Sequence, residues 1–327
     1  MSDPDLEHPR SARTFHHADY SPASIARAVE HAGLSVSVCL PARECAATVG
    51  EIVGALIGLR EQGAIDEVVV VDAASADGTA QVAENAGATV HQESELMPEL
   101  GTVLGKGDAM YRALSVLRGE IVCYLDADTE GFGAHFATGL LGPLLCEQGV
   151  SFVKAFYRRP MGTYARDGGG RVNHLTARPA LALFYPELSG IHQPLAGEVA
   201  ARRELLEEVP YATGYGVEIA MLIDVWRARG LGQIAQVDLD EHRNRHQSLA
   251  ALVPMAEAVL ATIARRLQRE GRLVGVGDDA PLSPVERVPL RQAGTESGVR
   301  AAPGAWTVPN ARAGTGAGIG PGVETER

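Results

Sequence analysis

The sequence predicts an α/β fold in which a mostly parallel sheet is flanked by helices. Short apolar runs of strand length alternate with stretches of helical spacing between residues 34 and 125, the signature of repeated βαβ units. The strand candidates end on polar residues, as expected where an open α/β sheet presents ligand-binding groups beyond its carboxyl edge. The clearest case is Glu120-Ile-Val-Cys-Tyr-Leu-Asp-Ala-Asp-Thr129. Its apolar run, Ile121 to Leu125, reads as a strand covered on both faces and stops on two carboxylates, Asp126 and Asp128. Residues i and i+2 of an extended chain point the same way, so both carboxylates face one crevice. Hard oxygen donors suit Mg²⁺ or Mn²⁺, and such ions also take phosphate oxygens. An acidic loop that merely ends a strand is the plainer reading of the pair taken alone.

The elements follow in order. Residues 1–20 are polar and expected to be loose. Ser21-Pro22 can cap and open a helix through His31, with Ile25, Ala28 and Val29 as its apolar stripe. Leu34 to Leu40 reads as the first strand, and Thr48 to Leu59 carries Val49, Ile52, Val53, Leu56 and Leu59 at helical spacing. Glu67 to Val71 is a second strand, ending at Asp72. Asp77-Gly-Thr opens a helix to Ala86, and Thr89-Val90-His91 gives a third short strand. After a loop, a helix over Asp108 to Leu117 precedes the strand that ends at Asp126.

Beyond Asp128 helices dominate. Phe136 to Cys146, Leu175 to Phe184, Glu218 to Arg229 and Leu252 to Leu267 read as helical, with one further strand over Val150 to Tyr157. Pro179 falls near the start of the second of these helices. From Val276 to Arg327 the chain is rich in Gly, Pro and Ala and poor in large apolar residues, which predicts a disordered tail. The expected division is an N-terminal extension with one helix (1–33), an α/β half (34–155), a half rich in helices (156–275) and the tail (276–327).

Composition bounds the function. The chain has 327 residues, 46% hydrophobic and 21% charged, enough for one large domain or a domain with an extension. A formal net charge of −12 argues against a nucleic-acid surface. The four cysteines, Cys39, Cys45, Cys123 and Cys146, lack Cys-x-x-Cys spacing and are expected as buried thiols. No apolar leader segment and no run long enough to span a bilayer is present, so a cytoplasmic protein without membrane contact is expected.

Several stretches could carry anion chemistry. Gly105-Lys106-Gly107 sets an ammonium between flexible backbone donors, although it lacks the rest of a Walker A loop and, taken alone, a surface turn is the plainer reading. Gly168-Gly-Gly-Arg171 joins backbone donors to a guanidinium, and a hairpin tip is the alternative. Lys154, Arg158 and Arg159 add positive charge upstream, unless they form a solvated face. Glu218 opens a helix, where it either complements the dipole or orients a hydroxyl. His242 lies in the basic run His242-Arg-Asn-Arg-His246 and, with the two aspartates, could complete a divalent-cation site.

Taken together, these residues resemble a known family. The carriers are Leu40-Pro-Ala42, Asp72 to Ser75, Gly105-Lys-Gly107, Leu125-Asp-Ala-Asp128, Phe156-Tyr-Arg-Arg-Pro160 and Gly168-Gly-Gly-Arg-Val172. Gln193-Pro-Leu-Ala-Gly-Glu198, Gly214-Tyr-Gly-Val-Glu218 and His242-Arg-Asn-Arg245 complete the set. In this order, over residues 35–267, they resemble the glucosyl-3-phosphoglycerate synthases and the related mannosyl enzymes of glycosyltransferase family 81. The resemblance implies an A-type glycosyltransferase fold with a C-terminal acceptor-binding part. It implies a retaining, metal-dependent transfer of a hexose, glucose favoured, to the 2-hydroxyl of D-3-phosphoglycerate. UDP-glucose or GDP-mannose would be the donor, Mg²⁺ or Mn²⁺ the cofactor, and a homodimer the assembly.

By position, the resemblance assigns the sugar nucleotide to Pro41, Ala42, Arg43, Ser75, Lys106, Asp126, Ala127 and Glu218. It assigns the metal to Asp128 and His242, and the acceptor to Gly169, Gly170, Arg171 and Asn173. The Leu195 carbonyl, Glu218 and Asp128 would sit at the reacting groups. The chain departs from the family where a glutamate becomes Cys45, with Glu44 one residue early, and where a threonine becomes Asn173. A related transferase with a different acceptor is one alternative, and a non-catalytic sugar-nucleotide-binding relative is the alternative from a different functional class.

Overall fold

The computed structural model describes residues 12–160, 168–244, 247–274 and 285–293. The strands are β1 (Arg13–His16), β2 (Val36–Ala42), β3 (Glu67–Asp72), β4 (Thr89–Gln92), β5 (Ile121–Tyr124), β6 (Phe152–Arg158), β7 (Val199–Arg202), β8 (Tyr211–Ala212), β9 (Ile234–Glu241) and β10 (Glu286–Arg287). The helices are α1 (Pro22–Ala32), α2 (Val49–Glu61), α3 (Thr79–Asn85), α4 (Lys106–Ala113), α5 (His135–Cys146), α6 (Arg178–Phe184), α7 (Arg203–Glu208), α8 (Val217–Arg229), α9 (Leu249–Arg269) and α10 (Leu290–Ala293).

One eight-stranded sheet runs in the order β1-β9-β6-β7-β5-β2-β3-β4. Its pairs are parallel except those of β7, which runs antiparallel to both β5 and β6. The predicted strands of the first half stand where the apolar runs put them. Every residue of β3 and β5 is buried, because helices cover both faces of the sheet. Two apolar clusters fill the spaces on either side, one around Tyr124 and Leu222, the other around Leu40 and Ile52. Each fully buried Leu, Ile or Val contributes about 1.5–3 kcal/mol to this packing. Helix α1 begins as its sequence signals: Ser21 accepts from the Ser24 amide, Pro22 takes the first turn, and Gly33 closes the helix at φ 61°.

Four expectations need correction. The segment before α1 is not loose over residues 13–16: β1 pairs with β9 at the sheet edge, and His17 adds a hydrogen bond with Asp240 at 2.7 Å. The half after residue 156 contributes two strands to the same sheet, β7 in its middle and β9 between β1 and β6, so the two halves share one sheet. Cys39, Cys45 and Cys123 are buried as expected, but Cys146 is exposed at the end of α5.

The fourth concerns the predicted tail. Residues 285–293 dock on the domain. β10 pairs antiparallel with β8, and Arg287 donates to both oxygens of the buried Asp108 at 2.7 and 2.9 Å. Glu286 accepts from Arg266 at 2.6 Å, and Arg291 reaches Glu208 at 2.8 Å. Backbone pairing and buried ion pairs hold this segment rather than apolar mass, which is why composition overlooked it. The rest of 276–327 lies outside the described residues, as do 161–167 and Arg245-His246.

Candidate active site

The antiparallel β7 creates the site. Its register sets Val199 opposite Tyr124, so the Gly197-Glu198 turn that enters β7 meets the Asp126-Ala127-Asp128 turn that leaves β5. Parallel β9 then delivers His242 to the same point, its amide donating to the Arg158 carbonyl at 3.0 Å. Helix α4 brings Lys106 at its first position, after Gly105 at φ 97°. Helix α8 brings Glu218 in its first turn.

These groups converge. Lys106 Nζ donates to Asp126 Oδ1 at 2.6 Å and lies 3.1 Å from Glu218 Oε1. Burial opposes its charge, but the two carboxylates outweigh burial and raise its pKa. The Lys106 side chain stays 29% exposed, so an anion can reach it. Gly197 lies directly beneath: a Cβ there would sit 2.4 Å from Asp126 Oδ1 and 2.6 Å from Lys106 Nζ. Only a residue without a side chain permits this close approach.

A second cluster stands beside the first. His242 and Glu198 are buried and paired, Nε2 to Oε1 at 2.9 Å. The Tyr157 ring stacks on the imidazole at 4.5 Å, and its hydroxyl donates to Glu198 Oε2 at 2.7 Å. Burial works against the Glu198 charge, but His242 and Tyr157 outweigh it and hold the pKa at about 2. Ligand atoms of Asp126, Glu198 and His242 lie within 4.8 Å of one another. His242 Nδ1 is buried without a hydrogen-bond partner among the described residues. Asp128 stands in the open side of the crevice. Desolvation there raises its pKa, and the Asp126 charge adds to the shift while His242 and Lys106 oppose it. One imidazole beside two carboxylates at ligand spacing, with the exposed Asp128 on the same turn as Asp126, fits a divalent cation of the Mg²⁺ or Mn²⁺ kind, although Asp128 is not itself within the cluster.

The remaining expected residues fall into two groups. At the end of β2, Pro41, Ala42 and Arg43 lead into Glu44, whose backbone adopts φ 54°. The Glu44 amide donates to Ser75 Oγ, and its carboxylate accepts from the Ala76 amide, both at 2.9 Å. Glu44 therefore braces the Ser75 turn, while Cys45 is buried with its thiol pushed up to about 11 by desolvation. The Ala127 carbonyl accepts from Thr48 Oγ1 at 2.6 Å.

On the other side, the Gly169 amide donates to the Arg159 carbonyl at 3.0 Å, and Gly170 turns the chain at φ 67°. Arg171 donates to the Gln247 carbonyl. Asn173 spans to the loop before β7, donating to the His192 carbonyl and accepting from the Leu195 amide, both at 3.3 Å. A pocket of about 320 Å³ opens beside this segment, lined in part by Arg158, His174, Arg178 and His192.

Lys154 is not on a solvated face. It is buried beneath the crevice, donates to the Ala196 carbonyl at 2.7 Å, and has its pKa pulled down to about 8 by desolvation. Sequence reasoning gave no role to Glu198 or Tyr157. Glu198 stood in the sequence only as the last residue of the resembling run Gln193–Glu198, ahead of the apolar Val199–Ala201, which local periodicity does not mark as a strand.

A doubly covered, mostly parallel sheet with an Asp-x-Asp turn at its central strand, and a lysine and an imidazole beside it, defines a glycosyltransferase of the A-type fold. Comparison with known proteins agrees. A family profile described as glycosyl transferase family 2 matches residues 37–134. The chain is 44% identical over 241 residues to the glucosyl-3-phosphoglycerate synthase of Mycolicibacterium paratuberculosis, covering 72% of this chain and 73% of that one. It is 40% identical over 267 residues to that of Petrotoga mobilis, covering 80% and 82%.

Among solved structures, mannosyl-3-phosphoglycerate synthase from Rubrobacter xylanophilus superposes at TM-score 0.80 with 47% identity, covering 86% of this chain and 96% of that one. Glucosyl-3-phosphoglycerate synthase from Mycobacterium tuberculosis, in complex with Mn²⁺, UDP-glucose and phosphoglyceric acid, superposes at 0.76 with 38% identity, covering 86% and 99%. The chain belongs to the glucosyl-3-phosphoglycerate synthase family and is a hexosyltransferase. No helix among the described residues is long and apolar enough to cross a membrane.

Proposed function

We propose that this enzyme transfers glucose from UDP-glucose to the 2-hydroxyl of D-3-phosphoglycerate, with retention at the anomeric carbon. The observation that carries this reading is Lys106 held between Asp126 and Glu218 above Gly197. Transfer breaks the bond between the anomeric carbon and the diphosphate, and negative charge builds on the departing diphosphate. Lys106, partly exposed in the crevice, is a cation placed to meet it. Asp128 and His242, with Asp126 and Glu198 adjacent, would hold Mg²⁺ or Mn²⁺, which supplies further neutralisation of the same charge. The Pro41–Arg43 end of β2, the Ser75 turn and Ala127 line the nucleotide side. Glu218 is the hydrogen-bond acceptor available to a sugar hydroxyl, and the Leu195 carbonyl is a second one across the crevice.

The acceptor is a small anion carrying a phosphate and a carboxylate. A chain of net charge −12 repels it at long range, so local positive charge must capture it. Gly169, Gly170, Arg171 and Asn173, beside the basic pocket, supply that charge and oriented donors. Mannose from GDP-mannose is the second reading, favoured by the 47% identity to the Rubrobacter mannosyl enzyme. We further infer a homodimer working in the cytoplasm. The test is product formation from UDP-glucose, GDP-glucose, UDP-mannose and GDP-mannose, each with 3-phosphoglycerate and Mg²⁺. UDP-glucose should give the highest kcat/KM; preference for GDP-mannose would move the assignment to the mannosyl branch, and no product from any donor would reject it.

A further inference from the structure

The described C-terminal segment, residues 285–293, reaches none of the groups in the crevice, yet it is tied to both elements that supply the lysine and glutamate there. Arg287 clamps Asp108, two residues after Lys106 on α4. The same segment pairs through β10 with β8, and the Val285 carbonyl accepts from the Thr213 amide at 3.0 Å and hydroxyl at 2.9 Å. Residues 211–216 then lead directly into α8 and Glu218. We propose that Arg287 is a positioning residue for hexosyl transfer: it locks the Lys106 helix to the Glu218 helix, and so sets the geometry of the donor side.

Three observations carry this. First, Asp108 is fully buried and has few other partners. The Leu104 amide donates to it at 2.9 Å, and Arg112 approaches only to 3.3 Å. The Arg112 guanidinium is otherwise taken up by the carbonyls of Leu96, Met97 and Gly101. Among the described residues Arg287 is thus the one side chain that meets both Asp108 oxygens with a planar fork. Second, there is no slack between the two elements. A Cβ on Gly107 would sit 2.0 Å from the Ala212 carbonyl oxygen and 2.9 Å from Val217 Cβ. A shift of α4 against residues 212–217 is therefore passed on to the 3.1 Å contact between Lys106 and Glu218. Third, Gly105 at the head of α4 abuts Gly214, a Cβ there lying 3.1 Å from the Gly214 Cα. The segment pins the far end of this contact and leaves the acceptor side, around Arg171 and Asn173, untouched.

This inference rests on the reading of Lys106 and Glu218 as donor-side residues, so the test includes Lys106→Ala as a control. Steady-state kinetics with UDP-glucose and 3-phosphoglycerate would compare the wild type with Arg287→Met, Arg287→Lys and Lys106→Ala. Assays would run well below each variant's melting midpoint. Arg287→Met should lower kcat and raise the donor KM, each about tenfold, with the acceptor KM within twofold of wild type. Arg287→Lys should recover part of the loss, because an ammonium restores charge without the fork. The lysine variant also keeps the test open if the methionine variant fails to fold. If Lys106→Ala raises the donor KM while both Arg287 variants keep wild-type kinetics, the proposal is wrong and Arg287 only stabilises the fold. Equal rises in donor and acceptor KM would overturn it as well. A Lys106→Ala enzyme with an unchanged donor KM would instead reject the underlying reading of the crevice.

Discussion

The two sides of the crevice, proposed above to take the donor and the acceptor, are built in opposite ways. On the donor side, side chains leave the ends of buried strands and the first turns of helices, and they are already bonded to one another: Lys106 lies between Asp126 and Glu218, and His242 against Glu198. On the acceptor side the chain is irregular. Residues 168–170 form a loop, Asn173–Ala177 wind as a wider π-helical turn, and among the described residues Arg171 is held by one neutral carbonyl, that of Gln247. A cation between two carboxylates must exchange strong partners when a diphosphate arrives. A guanidinium on a single carbonyl gives up little to meet a phosphate. The donor side is thus preorganised by the sheet, and the acceptor side is adaptable.

Substitutions can break or sharpen that contrast. Asp128→Ala should have the largest effect. Removing a carboxylate beside the Asp126–Glu198–His242 cluster should lower kcat at least a hundredfold with Mg²⁺ or Mn²⁺, since metal assistance accounts for roughly several kcal/mol. The fold should persist, as far-UV circular dichroism would report. Turnover at the wild-type rate would remove Asp128 from the metal site.

Arg171→Ala should come next and act on the acceptor alone. Loss of a charge-assisted pair costs on the order of 2–3 kcal/mol, or roughly a thirty- to hundredfold rise in the 3-phosphoglycerate KM. Donor affinity, followed by titration with UDP, should stay within about twofold, and Arg171→Lys should recover only part. Equal weakening of UDP and 3-phosphoglycerate would erase the division between the two sides.

Asn173→Thr should be mildest. It introduces the family's residue but gives up a side chain that spans from His192 to Leu195. Those bonds are long, so about 1 kcal/mol is at stake, a change of a few-fold in acceptor KM. A loss of more than about fiftyfold would mean that Asn173 holds the acceptor loop in place rather than tuning it.

What was legible in the sequence follows the same division. Buried strands announce themselves by continuous apolar runs, so β2, β3 and β5 and the carboxylates at their ends were readable from spacing. Lys106 was readable as an ammonium set between two glycines, and Glu218 because it opens a helix; that Lys106 also opens a helix is a finding of the structure. Glu198, Tyr157 and the buried Lys154 were not. They meet the site through the antiparallel insertion of β7 between β5 and β6, a pairing between segments far apart in the chain that no local period encodes. Polar residues become a site there only because the sheet stacks them out of water.

The C-terminal segment shows the limit most directly. Local composition is sufficient to identify a stretch too polar to fold alone, and by that measure residues 285–293 were read as part of a tail. Arg287 nevertheless finds Asp108 across 179 positions of sequence. A buried carboxylate needs a partner, and which arginine answers it is a matter of spatial proximity. The sequence by itself determined the α/β class and the family, and it singled out Lys106, Asp126 and Glu218, which the fold brings together. Tertiary structure alone decided which distant charges met in the interior, because such an ion pair is specified by geometry and desolvation, neither of which leaves a periodic trace in the chain.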